Sequence, residues 1–131
     1  MTVSNEVDKL PISFYVTGDP VPKQSFRLVE KRSGKTHGYA DPRVTEWQDA
    51  IGYEANTRFA EPITGKLKVK LRFYLSNNRV VDIDNLTKCV LDGLKGIAFK
   101  DDNQVFQMEL SKSVDKYNPG VYIEVDLLEY K

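Results

Sequence analysis

The sequence predicts a two-layer α+β domain in which two helices cover one face of a mixed β-sheet, in the element order β-α-β-α-β-β. Three observations predict this fold class. Apolar and polar residues alternate in two separate segments, two other segments repeat apolar residues at helical spacing, and the last third holds two strand-like runs around a turn. The 131 residues fit one domain with one hydrophobic core. We therefore interpret residues 1–131 as a single domain, and whether the tail 1–10 is ordered stays open.

The first strand is predicted where Ile12, Phe14 and Val16 alternate with Ser, Tyr and Thr. The prolines and glycine of Gly18–Pro22 end it. Residues 20–43 then show no sustained helical or strand period, so we predict a long loop. This loop contains six basic residues and two acidic ones, a local excess of four positive charges. Its length and charge favour a function in binding phosphates.

Both helices and the clearest strand are predicted in the middle of the chain. Apolar residues at helical spacing predict a first helix over residues 43–60, ahead of Pro62. Strict alternation of apolar residues with mostly basic ones predicts a strand over residues 67–75. A second helix is predicted over residues 85–97, with Asp84 as its N-cap and a glycine near its C-terminal end.

The last third predicts two strands, Val105 to Val114 and Val121 to Leu128. The segment Lys116–Gly120 between them contains the residues Asn-Pro-Gly, which are typical of a turn. We therefore expect the two strands to pair with each other as a hairpin that closes the chain.

Composition excludes several classes of protein. No apolar run approaches the roughly 20 residues that a membrane helix needs, and the first residues do not resemble a secretory signal, so cytoplasmic residence is expected. Cys89 is the only cysteine, which excludes an intramolecular disulfide or a cysteine-based zinc site within one chain. We expect it to be a small buried apolar residue. Nineteen basic and nineteen acidic residues cancel, so net charge indicates no partner.

Two carboxylates, Asp82 and Asp84, stand directly before the second predicted helix. In extended backbone alternate side chains point the same way, so the two are expected to converge on one point. Carboxylate oxygens suit Mg²⁺, with Mn²⁺ as a plausible substitute, and these ions leave positions for a substrate phosphate. Alternatively, Asp84 only caps the helix and Asp82 is a solvated turn residue.

Three further residues are candidates for the same chemistry. Asp101 and Asp102 follow the second helix, which is long enough to carry them away from Asp82. Either the chain after Gly96 brings Asp102 back, or a neighbouring chain supplies it. Alternatively, the two residues only form a polar turn before the next strand. Lys88 lies four residues after Asp84, where an ammonium group could hold the scissile phosphate or form a surface pair with Asp84 or Asp92.

Taken together, these residues resemble the RusA family of Holliday-junction resolvases, small enzymes often encoded by prophages. The similarity is specific in Asp82–Lys88, continues through Val90–Leu94 and resumes in Asp101–Val105. The segment Gly18–Lys23 also resembles the family's exit from its first strand. In the loop from Lys23 to Arg43 no residue-by-residue match is clear.

The resemblance implies a Mg²⁺-dependent endodeoxyribonuclease that resolves four-way DNA junctions by paired symmetric nicks during recombination and repair. It implies that Asp82, Asp84 and Asp102 bind the metal, that Lys88 is the catalytic lysine, and that Asp101 is a secondary acidic contributor. It also implies a homodimer. The basic residues of the loop are the expected DNA contacts: Lys23, Arg27, Lys31, Arg32, Lys35 and Arg43.

Two alternatives remain open at this point. The chain is a non-catalytic DNA-binding protein whose aspartates serve as caps, or it is a metal-dependent nuclease for other branched DNA, because a carboxylate cluster alone does not select a substrate.

Overall fold

The structure is a computed structural model that describes residues 10–23, 28–30, 36–38 and 41–128, with only the backbone described for 28–30 and 36–38. Within these residues a single 3₁₀ turn, Asp102–Gln104, precedes the last two strands. The helices and strands are β1 (Ile12–Thr17), β2 (Leu28–Glu30), β3 (Thr36–Gly38), α1 (Pro42–Asn56), β4 (Leu67–Leu75), α2 (Ile83–Leu94), β5 (Val105–Val114) and β6 (Gly120–Leu127).

The main sheet has four strands in the order β1-β6-β4-β5. β4 pairs in parallel with β5 on one side and antiparallel with β6 on the other, and β6 pairs antiparallel with β1. The sheet is therefore mixed, and the α+β fold class with two helices and the order β-α-β-α-β-β is confirmed. No helix in the described part of the chain is long and apolar enough to cross a membrane.

The predicted hairpin of the last two strands is wrong, because β4 lies between β5 and β6. The connecting residues must cross the end of β4, a distance of two strand spacings or about 10 Å. Asp115 makes this crossing: its amide donates to the carbonyl of Leu75 (2.8 Å), the last residue of β4. Its Oδ1 accepts the amides of Tyr117 (3.2 Å) and Asn118 (3.1 Å). The turn residues are those predicted, but they join strands that are not neighbours.

One face of the sheet carries the core. Every second residue of β1 and β4 is buried, and Phe14, Phe73 and Ile123 are typical members of this layer. Both helices pack on this face, as predicted. They approach each other closely at Gly93, where a Cβ atom would lie 3.1 Å from the Gln48 carbonyl oxygen and 3.2 Å from Ile51.

Both helices end earlier than predicted. α1 ends at Asn56 rather than at residue 60, where the Thr57 hydroxyl donates to the Glu54 carbonyl (2.7 Å) and takes part in its C-cap. α2 ends at Leu94 rather than at residue 97. Beyond it Gly96 adopts a φ of +84°, and its amide donates to the Phe99 carbonyl (2.7 Å).

The loop predicted over residues 20–43 contains two short strands. β2 and β3 pair antiparallel in a separate two-stranded sheet, with Leu28 opposite Gly38. The prediction of a stretch without strands is therefore wrong at these six residues. Three residues per strand are too few for a period of two to be recognised in the sequence.

Candidate active site

The turn between β4 and α2 carries the first two predicted carboxylates. Asp82, not Asp84, is the N-cap of α2, and its side chain makes no capping hydrogen bond. Asp84 lies in the first helical turn, where its Oδ1 accepts the amide of Asn85 (2.9 Å). The expectation that both residues lie in extended backbone is thus wrong for Asp84. Both are exposed at the helix N-terminus, where the amide dipoles favour negative charge.

A carboxylate on the chain leaving β1 holds this turn from one side. Asp19 accepts the amide of Ser76 (3.0 Å) and its hydroxyl (2.6 Å), and both of its oxygens accept from the Arg79 guanidinium at 3.0 and 3.1 Å. Arg79 also donates to the carbonyl of Pro20. Partial burial alone would raise the pKa of Asp19, but the hydrogen bonds from Ser76 and Arg79 outweigh it and lower that pKa.

A lysine on β5 holds the turn from the other side. The Nζ of Lys112 donates to the carbonyl of Val81, the residue before Asp82. Lys112 lies opposite Phe73 in the pairing of β5 with β4, which puts it on the helix-covered face. Lys112 is not among the site residues that the sequence predicted. The available signal was a charge at an apolar position of the alternation Met108, Leu110, Lys112, Val114.

Lys88 is exposed on α2, one helical turn after Asp84, as predicted. Among the described residues it forms no salt bridge. Asp92, which was one possible partner, instead pairs with the Nζ of Lys23. The catalytic function of Lys88 stays a prediction, but the pair with Asp92 does not form.

Asp101 and Asp102 belong to the 3₁₀ turn ahead of β5. Asp101 is the N-cap of this turn, and its Oδ1 accepts the amide of Asn103 (3.2 Å). That hydrogen bond lowers the pKa of the Asp101 carboxyl most strongly, and a side-chain hydrogen bond with Asp102 lowers it further. Asp101 therefore has a structural function in the turn, whereas Asp102 is exposed.

Asp102 and Asp82 lie at opposite ends of the domain. The side-chain amide of Gln104 donates to the carbonyls of Ile63 (2.8 Å) and Gly65 (3.0 Å), just before β4 begins. Asp82 follows the end of β4, whose nine residues span about 26 Å. The 12 residues of α2 span about 18 Å and carry the chain back to the end of the sheet where β4 begins. The segment after Gly96 does not bring Asp102 back.

The donor chemistry at the start of α2 fits a hard divalent cation, because Asp82 and Asp84 offer carboxylate oxygens. The number of donors does not reach the predicted three within one chain. In agreement, no group of three or more His, Cys, Asp or Glu side chains in the described residues is arranged to hold a metal ion.

Two of the predicted DNA contacts are described. Lys23 pairs with Asp92, and its amide donates to the Asn85 carbonyl (3.0 Å), which ties the start of the basic loop to α2. Arg43 pairs with Asp41 (2.7 Å), and its side chain is 70% exposed. The other four predicted contacts lie outside the described residues: Arg27, Lys31, Arg32 and Lys35.

A cleft of about 470 Å³ lies beside the turn that carries Asp82. Its walls come from the chain leaving β1, the first turns of α1 and the connection after β4, and they include Arg43, Arg79 and Trp47. Each of the two guanidinium groups already pairs with a carboxylate. The cleft therefore has a mixed electrostatic character within the described part of the chain.

Comparison with known proteins finds two similarities. Residues 17–126 match the family model described as endodeoxyribonuclease RusA. The chain is also 32% identical over 116 residues to a crossover junction endodeoxyribonuclease RusA of Aquifex aeolicus (strain VF5), an alignment that covers 87% of this chain and 90% of the relative. The family match includes the β1 exit, both helices and every predicted carboxylate.

Proposed function

Because this chain belongs to the RusA family of endodeoxyribonucleases, we propose that it cuts four-way DNA junctions in a Mg²⁺-dependent reaction and acts as a homodimer. The match over residues 17–126 supports the enzyme class, and the relative's name supports the substrate. Two copies related by a two-fold axis suit a substrate in which two strands of like polarity are nicked.

One observation supports the dimer most directly. Asp82 and Asp84 lie at the end of β4 and Asp102 lies near its start, so one chain cannot assemble all three carboxylates. In the proposed enzyme Asp102 of the partner subunit completes each set. The two-fold axis then generates two equivalent sites per dimer, each built from both chains.

When bound, Mg²⁺ supplies charge neutralisation at the phosphate and lowers the pKa of a water molecule. Asp82 and Asp84 would hold it from one chain. Lys88, exposed one turn along α2, would offset negative charge on the reacting phosphate with its ammonium group. Lys112, through the Val81 carbonyl, keeps the backbone ahead of Asp82 in place.

The DNA backbone is held by cations around this site. Arg43 is mostly exposed and lines the cleft beside the Asp82 turn. Phosphate contacts by such side chains release counterions, so junction binding weakens as salt concentration rises. Arg27, Lys31, Arg32 and Lys35 are proposed as further contacts on sequence grounds.

The test is cleavage of a labelled four-way junction, with a matched duplex and a single strand as comparison substrates, in Mg²⁺ and in EDTA. We expect paired nicks in the junction, in Mg²⁺ alone. Binding without cleavage in Mg²⁺ would contradict an enzyme, and equal cleavage of the plain duplex would contradict junction specificity.

A carboxylate-to-amide variant tests the site itself. Asp82→Asn is expected to abolish cleavage while junction binding stays intact or tightens, because repulsion between the carboxylate and phosphate falls. Glu61→Gln is the matched control, since Glu61 is an exposed carboxylate in the connection between α1 and β4. Normal Mg²⁺-dependent cleavage by Asp82→Asn would eliminate the assignment.

A further inference from the structure

β5 is an exposed edge of the main sheet. It is the longest described strand, with 10 residues, and it pairs with β4 on one side and with no described strand on the other. Phe106, Met108 and Val114 on this strand are 60%, 45% and 50% exposed. A long edge with apolar side chains and unpaired backbone groups is a template for pairing with another strand.

The opposite edge of the sheet differs from β5. β1 has six residues, and Ile12, Phe14 and Val16 are buried in the core. Its alternate residues Ser13 and Thr17 are polar and exposed. An apolar strand edge that needs a partner is thus found at β5 and not at β1.

We propose that two copies of this chain join through β5, which pairs antiparallel with β5 of the partner subunit about a two-fold axis at Leu110 and forms one continuous sheet. The inference rests on the proposed function, in which each carboxylate set takes Asp102 from the second chain. It adds the surface, the strand direction and the register, none of which the proposed function specifies.

The direction of pairing follows from the two ends of β5. Asp102 lies three residues before the strand begins, whereas the turn carrying Asp82 is bonded to Lys112, near the strand's end. Antiparallel pairing places the start of one β5 beside the end of the other. Asp102 of the partner subunit therefore comes to the end of the sheet where Asp82 and Asp84 lie. Parallel pairing would leave Asp102 of both chains at the start of the strands, more than about 23 Å from Lys112, which is the span of residues 105–112.

Symmetry and charge restrict the register, and an axis at Leu110 is compatible with both. A two-fold axis perpendicular to the sheet places residues of the same face opposite each other. An axis at Glu109 would put this carboxylate against its own copy, and an axis at Lys112 would do the same with two ammonium groups, which is unfavourable. An axis at Leu110 sets an apolar residue against itself. Met108 then faces Lys112 of the partner subunit, whose alkyl chain suits an apolar neighbour.

Cysteine cross-linking tests the register. Leu110→Cys is expected to form a disulfide-linked dimer on mild oxidation, because residues at the axis have Cα atoms about 4.5 to 5.5 Å apart. Ser111→Cys should remain uncrosslinked, because each Ser111 is displaced from its own copy by about 8 Å, beyond disulfide reach. Tyr53→Cys on α1, 72% exposed, is the control for random collisions.

Two substitutions of opposite charge at Met108 give a second test. Met108→Lys places two ammonium groups opposite each other at two symmetric positions, so the dimer dissociation constant is expected to rise roughly tenfold. Met108→Glu places a carboxylate opposite the same lysine and should leave that constant unchanged or lower it. Sedimentation measures both, and circular dichroism verifies that each variant is folded.

The outcomes separate the interface from the enzyme. If Leu110→Cys does not cross-link and Met108→Lys dimerises normally while the wild type cuts junctions, the β5 interface is overturned and the proposed function stands. If cross-linking and the charge dependence follow the expectation but no junction is cut in Mg²⁺, the interface stands and the proposed function fails. A wild-type protein that is monomeric with and without junction DNA overturns both.

Discussion

A mixture of two inactive variants tests whether each carboxylate set is shared between chains. Asp82→Asn and Asp102→Asn should each be inactive as homodimers, because every site then lacks one carboxylate. In a mixed dimer both substitutions fall in the same site. The other site takes Asp82 and Asp84 from the Asp102→Asn chain and Asp102 from the Asp82→Asn chain, and it is intact.

The expected recovery follows from counting sites. After subunits exchange in an equal mixture, about half of the dimers are mixed and each contains one intact site of two, so nicking should reach about a quarter of the wild-type rate. The assay is strand nicking of a labelled junction on a denaturing gel, which detects single nicks. One site per dimer should produce mainly singly nicked junctions.

The control mixture combines Asp82→Asn with Asp84→Asn. These two residues act from the same chain, so every site in every dimer lacks one of them and activity should stay absent. If the mixture of Asp82→Asn with Asp102→Asn stays inactive although sedimentation shows mixed dimers, the shared site is refuted. Recovery in the control mixture would equally refute it.

Three further predictions concern the turn and the core. Lys112→Met removes the donor to the Val81 carbonyl, so kcat for junction cleavage should fall roughly 10-fold to 100-fold with junction affinity unchanged, whereas an equal loss of affinity would contradict a positioning function. Asp19→Ala removes the partner of Arg79; with allowance for its 44% exposed side chain, urea unfolding should show a loss of about 1 kcal/mol. The pKa of Asp19 is lowered in the folded state. The difference in unfolding free energy between the wild type and Asp19→Ala should therefore reach its full size above the ordinary pKa of 3.8, and it should shrink as the pH falls through the pKa of the folded protein. A constant difference down to low pH would refute the ion pair as its cause. Burial raises the pKa of Cys89 to about 11, so a thiol reagent at pH 8 should label the unfolded protein and leave the native protein unlabelled.

Local sequence patterns were sufficient to predict most of the helices and strands. The alternation over residues 67–75 predicted β4 to the residue, because a strand buried on one face must repeat apolar side chains with a period of two. The motif residues Asp82–Lys88 were also sufficient to recognise the family, and the comparisons confirm it. Helix ends were less accurate, since turns after α1 and α2 are closed by hydrogen bonds to carbonyls that no pattern of side chains reveals.

Which strands pair with β5 and β6 could be read only from the tertiary structure. Both are strand-like with a turn between them, which suits a hairpin, yet each pairs with β4 because this central strand can form hydrogen bonds along both of its edges. Lys112 was missed for the same reason: its partner, the Val81 carbonyl, is 31 residues away along the chain.

The amino-acid sequence by itself determined the fold class, the order of the two helices and the four main-sheet strands, the family and which acidic residues are candidates, because each of these is a matter of residue type and local spacing. Only the tertiary structure decided which of those acids are neighbours. Asp82 and Asp84 are carried together by one helix terminus, whereas the lengths of α2 and β4 separate Asp102 from them. Distance in a folded chain depends on the direction in which rigid elements run, and that direction is a property of their packing.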